Sequence, residues 1–230
     1  MAVVGLGIGL AHVVAFKQVR DRFRIVAVCD QDEDLAARTA EGLRGVRADG
    51  FEAVLGRDDV DVVSICTPPF LHLDQCRAVL AAGKHAICEK PLVGSLQDLD
   101  LLAEAASAAD RHLMPVYQYR YGHGIQRLRH LVAAGVAGQP TAAAAEVSWR
   151  RRPDYYAGWR GDWDTELGGV VLSHALHTLD LLTHVLGPAR RVFARTATLV
   201  NDVETEDVAA LTLQHETGAL STLSATLGST

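Results

Sequence analysis

Two side chains in this sequence are of the types that steady a developing negative charge and move a proton. They are Lys90, in Glu89-Lys90-Pro91, and His177, in the run from Gly168 to Leu186. An ammonium beside a reacting oxygen and an imidazole that titrates near neutral pH are what interconversion of an alcohol and a ketone requires. Lys90 follows the apolar run His85 to Cys88 and so stands at a strand end. There its ammonium either enters a cleft or forms a solvated charge pair with Glu89. Around His177, Leu172, Leu176, Leu179 and Leu186 make an apolar helical stripe, while Ser173, His177, Asp180 and His184 share another face. That second face carries no Lys or Glu, which favours the wall of a polar cleft over a solvated surface. Asp180, one turn on, is expected to orient His177. His174 and His177 have the i, i+3 spacing of a metal pair, but no carboxylate or cysteine cluster accompanies them, so no metal is expected.

A second group of residues suits a nucleotide. Gly5-Leu6-Gly7-Ile8-Gly9 follows a short apolar run and opens a helix. Glycines there let the backbone approach a pyrophosphate at the helix N-terminus, though a tight strand–helix turn needs them equally. Asp30 ends the next strand. A carboxylate at that place accepts ribose hydroxyls and repels a 2′-phosphate, favouring NAD over NADP. Thr67-Pro68-Pro69, with His72 just beyond, is expected to line the cofactor or to serve as a rigid turn. Tyr117-Gln118-Tyr119-Arg120 closes a sixth strand. Tyr155-Tyr156 and Trp159-Arg160-Gly161-Asp162-Trp163 gather aromatics in a chain only 6% aromatic. Flat rings beside Arg and Asp suit the C–H faces and hydroxyl edges of a polyhydroxylated ring, or else cap a small core.

The elements that must carry these residues fall into two halves. In the first, strands at Ala2 to Val4, Arg24 to Cys29, near Val46, Val60 to Cys66, His85 to Cys88 and Leu113 to Tyr119 alternate with helical stretches. That alternation predicts a parallel Rossmann-type sheet with helices on both faces, over residues 1–120. Residues 121–230 read as an α+β domain, shortened at its C-terminus, with a mostly antiparallel sheet and the His177 helix packed on its face. Its expected strands are Thr141 to Trp149, Arg190 to Leu199, Asp207 to Gln214 and Ala219 to Leu227. The chain has 230 residues, 49% hydrophobic and 22% charged, with a net charge of −6. This is globular composition and argues against a nucleic-acid groove, in spite of Arg150-Arg151-Arg152. No apolar stretch is long enough to span a membrane. The four cysteines lack CxxC spacing and read as buried free thiols; with the first strand starting directly after Met1, a cytoplasmic location is expected.

Taken in chain order, the glycine loop, Asp30, Thr67-Pro68-Pro69 with His72, Glu89-Lys90-Pro91, Tyr117 to Arg120, Trp159-Arg160-Gly161 and Gly168-Gly169-(x)7-His177-(x)2-Asp180 resemble the Gfo/Idh/MocA family of NAD(P)-dependent oxidoreductases. The resemblance implies a dehydrogenase that passes hydride between a nicotinamide and a secondary alcohol or ketone of a sugar, cyclitol or related polyol. It makes Lys90 and His177 the catalytic pair. Gly5, Gly7, Ile8, Gly9, Asp30, Thr67, Pro68, His72, Glu89 and Lys90 would bind NAD, with NADP less favoured. Tyr119, Arg120, Trp159, Arg160, Ser173 and His174 would meet the substrate. Departures are a glycine loop one residue short, an early end at Thr230, and Ser173 where many members have an aspartate. These keep open a non-catalytic NAD-binding homologue, while an NAD-dependent glycoside hydrolase is a further alternative on the same fold. Self-association is expected across the exposed face of the second sheet.

Overall fold

A computed structural model describes residues 1–229, in two units, Met1–Val116 and Tyr117–Thr230. In the first unit the short strands β1 (Ala2–Val4), β2 (Ala27–Cys29), β3 (Arg47–Ala48), β4 (Val62–Ile65), β5 (His85–Cys88) and β6 (Leu113–Pro115) pair in parallel, in the order β3-β2-β1-β4-β5-β6. Helices α1 (Gly9–Gln18), α2 (Glu33–Glu41), α3 (Phe51–Leu55), α4 (His72–Ala81) and α5 (Leu96–Ala109) connect them. The inner strands β1, β2 and β4 are almost wholly apolar because both of their faces are covered. Ala2, Val4, Ala27, Cys29, Val63 and Ile65 pack with Val54, Val79 and Leu102 on one side. The alternate residues Val3 and Val28 pack with Leu6, Val13, Ala36 and Ala40 on the other. The strand order reverses between β1 and β4, and an open parallel sheet has its crevice outside the carboxyl ends of its strands at such a reversal. All four cysteines are buried and free.

Helix ends follow their sequence signals. Asp32 caps α2 by accepting from Leu35 N, and Ser95 caps α5 by accepting from Asp98 N. Gly83 takes φ +72° after α4, the left-handed conformation that favours glycine. The expected strand over Leu113 to Tyr119 is shorter than its apolar run. Val116 N makes the last ladder bond, to Cys88 O, and β5 stops at Cys88, so the chain beyond has no partner strand. Gln118–Tyr121 is instead a 3₁₀ turn.

In the second unit, α6 (His123–Ala133) precedes β7 (Ala142–Ser148), followed by the single turn α7 (Trp163–Glu166), α8 (Leu176–Leu186), β8 (Ala189–Ala197), β9 (Val208–His215) and β10 (Leu220–Thr226). The sheet order is β7-β10-β9-β8. Both pairs made by β9 are antiparallel, but β7 runs parallel to β10, so the sheet is mixed. Gly218, at φ +87°, turns the β9–β10 hairpin as its sequence predicts. Alternation sends Leu211, Leu213, Leu223 and Ala225 inward against Val170, Ala175, Leu182 and Leu186. Leu220, Thr222 and Ser224 of β10 face outward.

The helical run from Gly168 to Leu186 is not one α-helix. Val171–Ala175 is wound as a π-helix before α8 begins. Its start is tied to Glu206, whose carboxylate accepts from Gly169 N and Val171 N and whose carbonyl accepts from Val170 N. The winding shifts Ser173 off the α-helical register with His177 that the sequence suggests.

Leu223 and Leu220 lie on one strand, 1% and 52% exposed respectively. Replacing Leu223 by alanine is expected to cost about 2–5 kcal/mol in urea denaturation, while Leu220→Ala stays within about 0.5 kcal/mol. Equal costs would contradict the assigned faces.

Candidate functional site

In the first unit three glycines have three separate jobs. Gly5 adopts φ +84°, and a Cβ there would lie 2.7 Å from the carbonyl carbon and oxygen of Cys66. Gly9 meets β1 directly, since its Cβ would lie 3.1 Å from Val3 Cγ1. Gly7 has nothing within 4 Å of that position, so its backbone is open to a ligand. Helix α1 starts immediately after, with no side-chain cap and no acidic residue in its first turn, and Ile8 beside it is 55% exposed. Ala11 N already donates to Ile8 O at 2.9 Å, which leaves the amides of Gly9 and Leu10 for an anion. Asp30 pins the loop from the neighbouring strand: Oδ2 accepts from Leu6 N at 2.5 Å and Oδ1 from Asp32 N at 2.9 Å. A carboxylate oxygen has a second lone pair, so ribose hydroxyls can still be accepted. These features fit a dinucleotide: an open backbone for the pyrophosphate and a fixed carboxylate for the ribose.

Beside this turn lies a polar chain that sequence reasoning missed. His12 of α1 places Nδ1 2.9 Å from Ser64 Oγ on β4 and Nε2 2.9 Å from Glu89 Oε1. The other oxygen of Glu89 accepts from Lys90 N at 3.1 Å. The Cys66 side chain and the Glu89 carboxylate outweigh burial and push the His12 pKa up to about 10. Burial acts against the Glu89 charge, and the hydrogen bonds from His12 and the Lys90 amide overcome it, holding that carboxyl below its usual range. The signal was one polar residue in each of two apolar runs, His12 and Ser64, since buried polar groups need partners.

Two residues expected on the cofactor surface sit differently. His72 is fully buried, with Nε2 2.8 Å from Thr67 O and Nδ1 2.7 Å from Pro91 O, and burial holds its pKa below the ordinary value. It links the loops after β4 and β5 instead of presenting its ring to a ligand. The Thr67 hydroxyl is likewise taken, donating to Gln75 Oε1 at 2.6 Å. Pro68, which starts the 3₁₀ turn Pro69–Leu71, is half-buried, as is Lys90.

In the second unit His177 is 7% exposed. Its ring stacks on Tyr119, with centroids 4.7 Å apart and planes at 27°, and meets the edge of Tyr117. Both oxygens of Asp180 accept from Arg120, Oδ2 from Nε at 2.8 Å and Oδ1 from Nη2 at 2.5 Å. Asp180 thus fastens the 3₁₀ turn to α8, and the imidazole of His177 lies against the rings of Tyr119 and Tyr117. Arg120, expected at the substrate, is committed to that carboxylate, whose hydrogen bonds raise its pKa further.

Ser173 Oγ donates to Gly169 O at 2.7 Å and lies 2.7 Å from His174 Nδ1. On the other side of the ring, His174 Nε2 accepts from Arg151 Nε at 3.0 Å. Because a guanidinium only donates, His174 carries its proton on Nδ1. Tyr155 OH approaches the same nitrogen at 3.3 Å. Arg160 stacks on Trp159 at 4.1 Å and on Tyr155 at 4.5 Å. The predicted aromatic segment and His174 are thus brought together, with Arg151 as an added member.

The His12–Glu89 pair makes stability depend on pH. His12, raised from 6.5 to about 10, contributes fully below pH 6.5 and loses that contribution as pH rises through 10. Glu89, lowered from 4.5, contributes fully above pH 4.5 and loses it on acidification through its folded value. Denaturation midpoints across pH 6.5 to 10 are expected to fall in the parent, and His12→Gln flattens that fall; a parallel fall in both proteins would refute the pairing. In the same assay Gly5→Ala is expected to cost about 2–4 kcal/mol, and Gly7→Ala about 1 kcal/mol or less.

Comparison with known proteins agrees with this geometry. Residues 1–117 match the oxidoreductase family with an NAD-binding Rossmann fold, and residues 125–230 match the GFO/IDH/MocA C-terminal domain. The 1,5-anhydro-D-fructose reductase of Ensifer adhaerens is 34% identical over 159 residues, 68% of this chain and 47% of the relative. Inositol 2-dehydrogenase 3 of Saccharopolyspora erythraea is 32% identical over 188 residues, 81% of this chain and 53% of the relative. The chain thus spans about half the length of these curated relatives. Among solved structures, the WlbA dehydrogenase of Bordetella pertussis, in complex with NADH and UDP-GlcNAcA, superposes with a TM-score of 0.92 at 31% identity, covering 99% of this chain and 66% of that one. With both of its halves matched, the chain belongs to the Gfo/Idh/MocA family of oxidoreductases.

Proposed function

We propose that this chain binds NAD and serves in hydride transfer to or from a secondary alcohol or ketone of a sugar, cyclitol or related polyol. The observation that carries this is the division of labour at the glycine turn. Gly5 and Gly9 are closed by packing, Gly7 is open, and Asp30 is fixed beside them. The backbone at Gly7 and the first turn of α1 would hold the pyrophosphate, and Asp30 would take the ribose hydroxyls and repel a 2′-phosphate. Relatives that include an inositol dehydrogenase and an anhydrofructose reductase support a polyol or sugar.

When bound, the nicotinamide supplies the hydride donor or acceptor. The residues of this chain handle the remainder. Lys90 stands where β5 ends, its backbone fixed by Glu89, and its ammonium would stabilise the alkoxide oxygen as it develops. His177, its ring plane set by Tyr119, would take the hydroxyl proton in oxidation and return it in reduction. Tyr119, Trp159, Arg160, Ser173 and His174 would contact the sugar, whereas Arg120 would act through Asp180. The outward face of the second sheet, with Phe193 68% exposed, would pair with a second copy of the chain.

Incubation with NAD and a panel of sugars, sugar acids, sugar phosphates and cyclitols tests the activity directly. Formation of NADH is expected with at least one member of the panel. Lys90→Ala and His177→Ala should each lower kcat by about a hundredfold or more. A chain that turns over no member, or a His177→Ala variant as fast as the parent, would contradict the proposal.

A further inference from the structure

Two arginines of the second unit share one aromatic ring. The guanidinium carbon of Arg151 lies 4.6 Å from the centroid of Tyr155 and 4.6 Å from that of Trp149. Arg160 lies 4.5 Å from Tyr155 and 4.1 Å from Trp159. Stacking fixes the planes of both forks, which is one way a guanidinium is preorganised for an oxyanion. Neither arginine makes an ion pair among the described residues, in contrast to Arg57 and Arg120, which are held by carboxylates. Arg160 Nε is buried without a hydrogen-bond partner. Arg151 spends Nε on His174, a neutral acceptor, so its charge is not offset there. The nearby carboxylate of Glu166 is 2% exposed and accepts from Gly161 N at 2.6 Å; burial raises its pKa, while the Gly161 amide and the charge of Arg160 act in the opposite direction. Both half-buried cations thus share the Tyr155 ring, and neither has a carboxylate within ion-pair distance among the described residues.

Resting on the sugar-dehydrogenase reading above, we propose that Arg151 and Arg160 form an oxyanion seat, so that the substrate is a sugar bearing a carboxylate or a phosphate and not a neutral polyol. The ring faces at this cluster suit the C–H surface of the same sugar. The net charge of −6 disfavours an extended polyanion as the occupant. Arg151 had no role in the reading of the sequence, where it was one of three consecutive arginines.

Titration calorimetry with glucose, glucuronate and glucose 6-phosphate, on the 230-residue chain with and without saturating NADH, tests the seat. At least one charged probe is expected to bind about tenfold or more tightly than glucose. A preference for glucuronate identifies a carboxylate and a preference for glucose 6-phosphate a phosphate; either supports the seat. Arg151→Gln and Arg160→Gln should each bring the charged probe towards the affinity of glucose, while Arg160→Lys retains part of the preference. Equal affinities for the three probes, no binding of any of them, or a preference that survives in the folded double glutamine variant would overturn it. Quenching of protein fluorescence by NADH in the same samples separates the two proposals. Normal NADH binding without an anion preference removes only the seat, whereas loss of NADH binding in the parent removes the dinucleotide reading.

Discussion

Where the chain leaves β1, its backbone runs so close to Cys66 and Thr67 that no side chain fits at Gly5. That contact fixes the start of α1 over the reversal point of the sheet, and the rest of the first unit's site follows from it. With α1 so placed, His12 reaches both Ser64 on β4 and Glu89 at the end of β5. Glu89 in turn holds the amide of Lys90, and His72 ties the loops after β4 and β5 together. Asp30 closes the arrangement from β2. A mobile loop would have to be ordered by its ligand; here the ordering is met by protein contacts, which lowers the entropic cost of binding.

The second unit solves a similar problem with other means. Both oxygens of Asp180 accept from Arg120, which ties the 3₁₀ turn to α8. The imidazole is held by ring packing on Tyr119 and Tyr117. Ser173, at the place where many relatives are expected to carry an aspartate, lies 2.7 Å from His174 Nδ1.

Much of this was legible in the residues themselves. Apolar runs without alternation announced a sheet covered on both faces, and the glycines with Asp30 announced the turn. What escaped was whatever depends on partners distant in sequence. His12 and Ser64 looked like isolated polar residues in apolar runs until tertiary contact paired them. The length of β6 was set by where β5 ends, not by its own apolar content. The parallel pairing of β7 with β10 arises from chain routing, and the π winding at Val171–Ala175 from the clamp by Glu206. His72 had the right position for a ligand contact, yet full burial gave it a structural task.

The turn from Gly5 to Gly9, with Asp30, is proposed as the seat for NAD. Calorimetric titration of the chain with NADH and NADPH side by side tests it most directly. One NADH is expected to bind per chain, with an affinity for NADPH about tenfold or more weaker, since Asp30 would face the added phosphate. Absence of NADH binding, or equal affinity for the two, would contradict it.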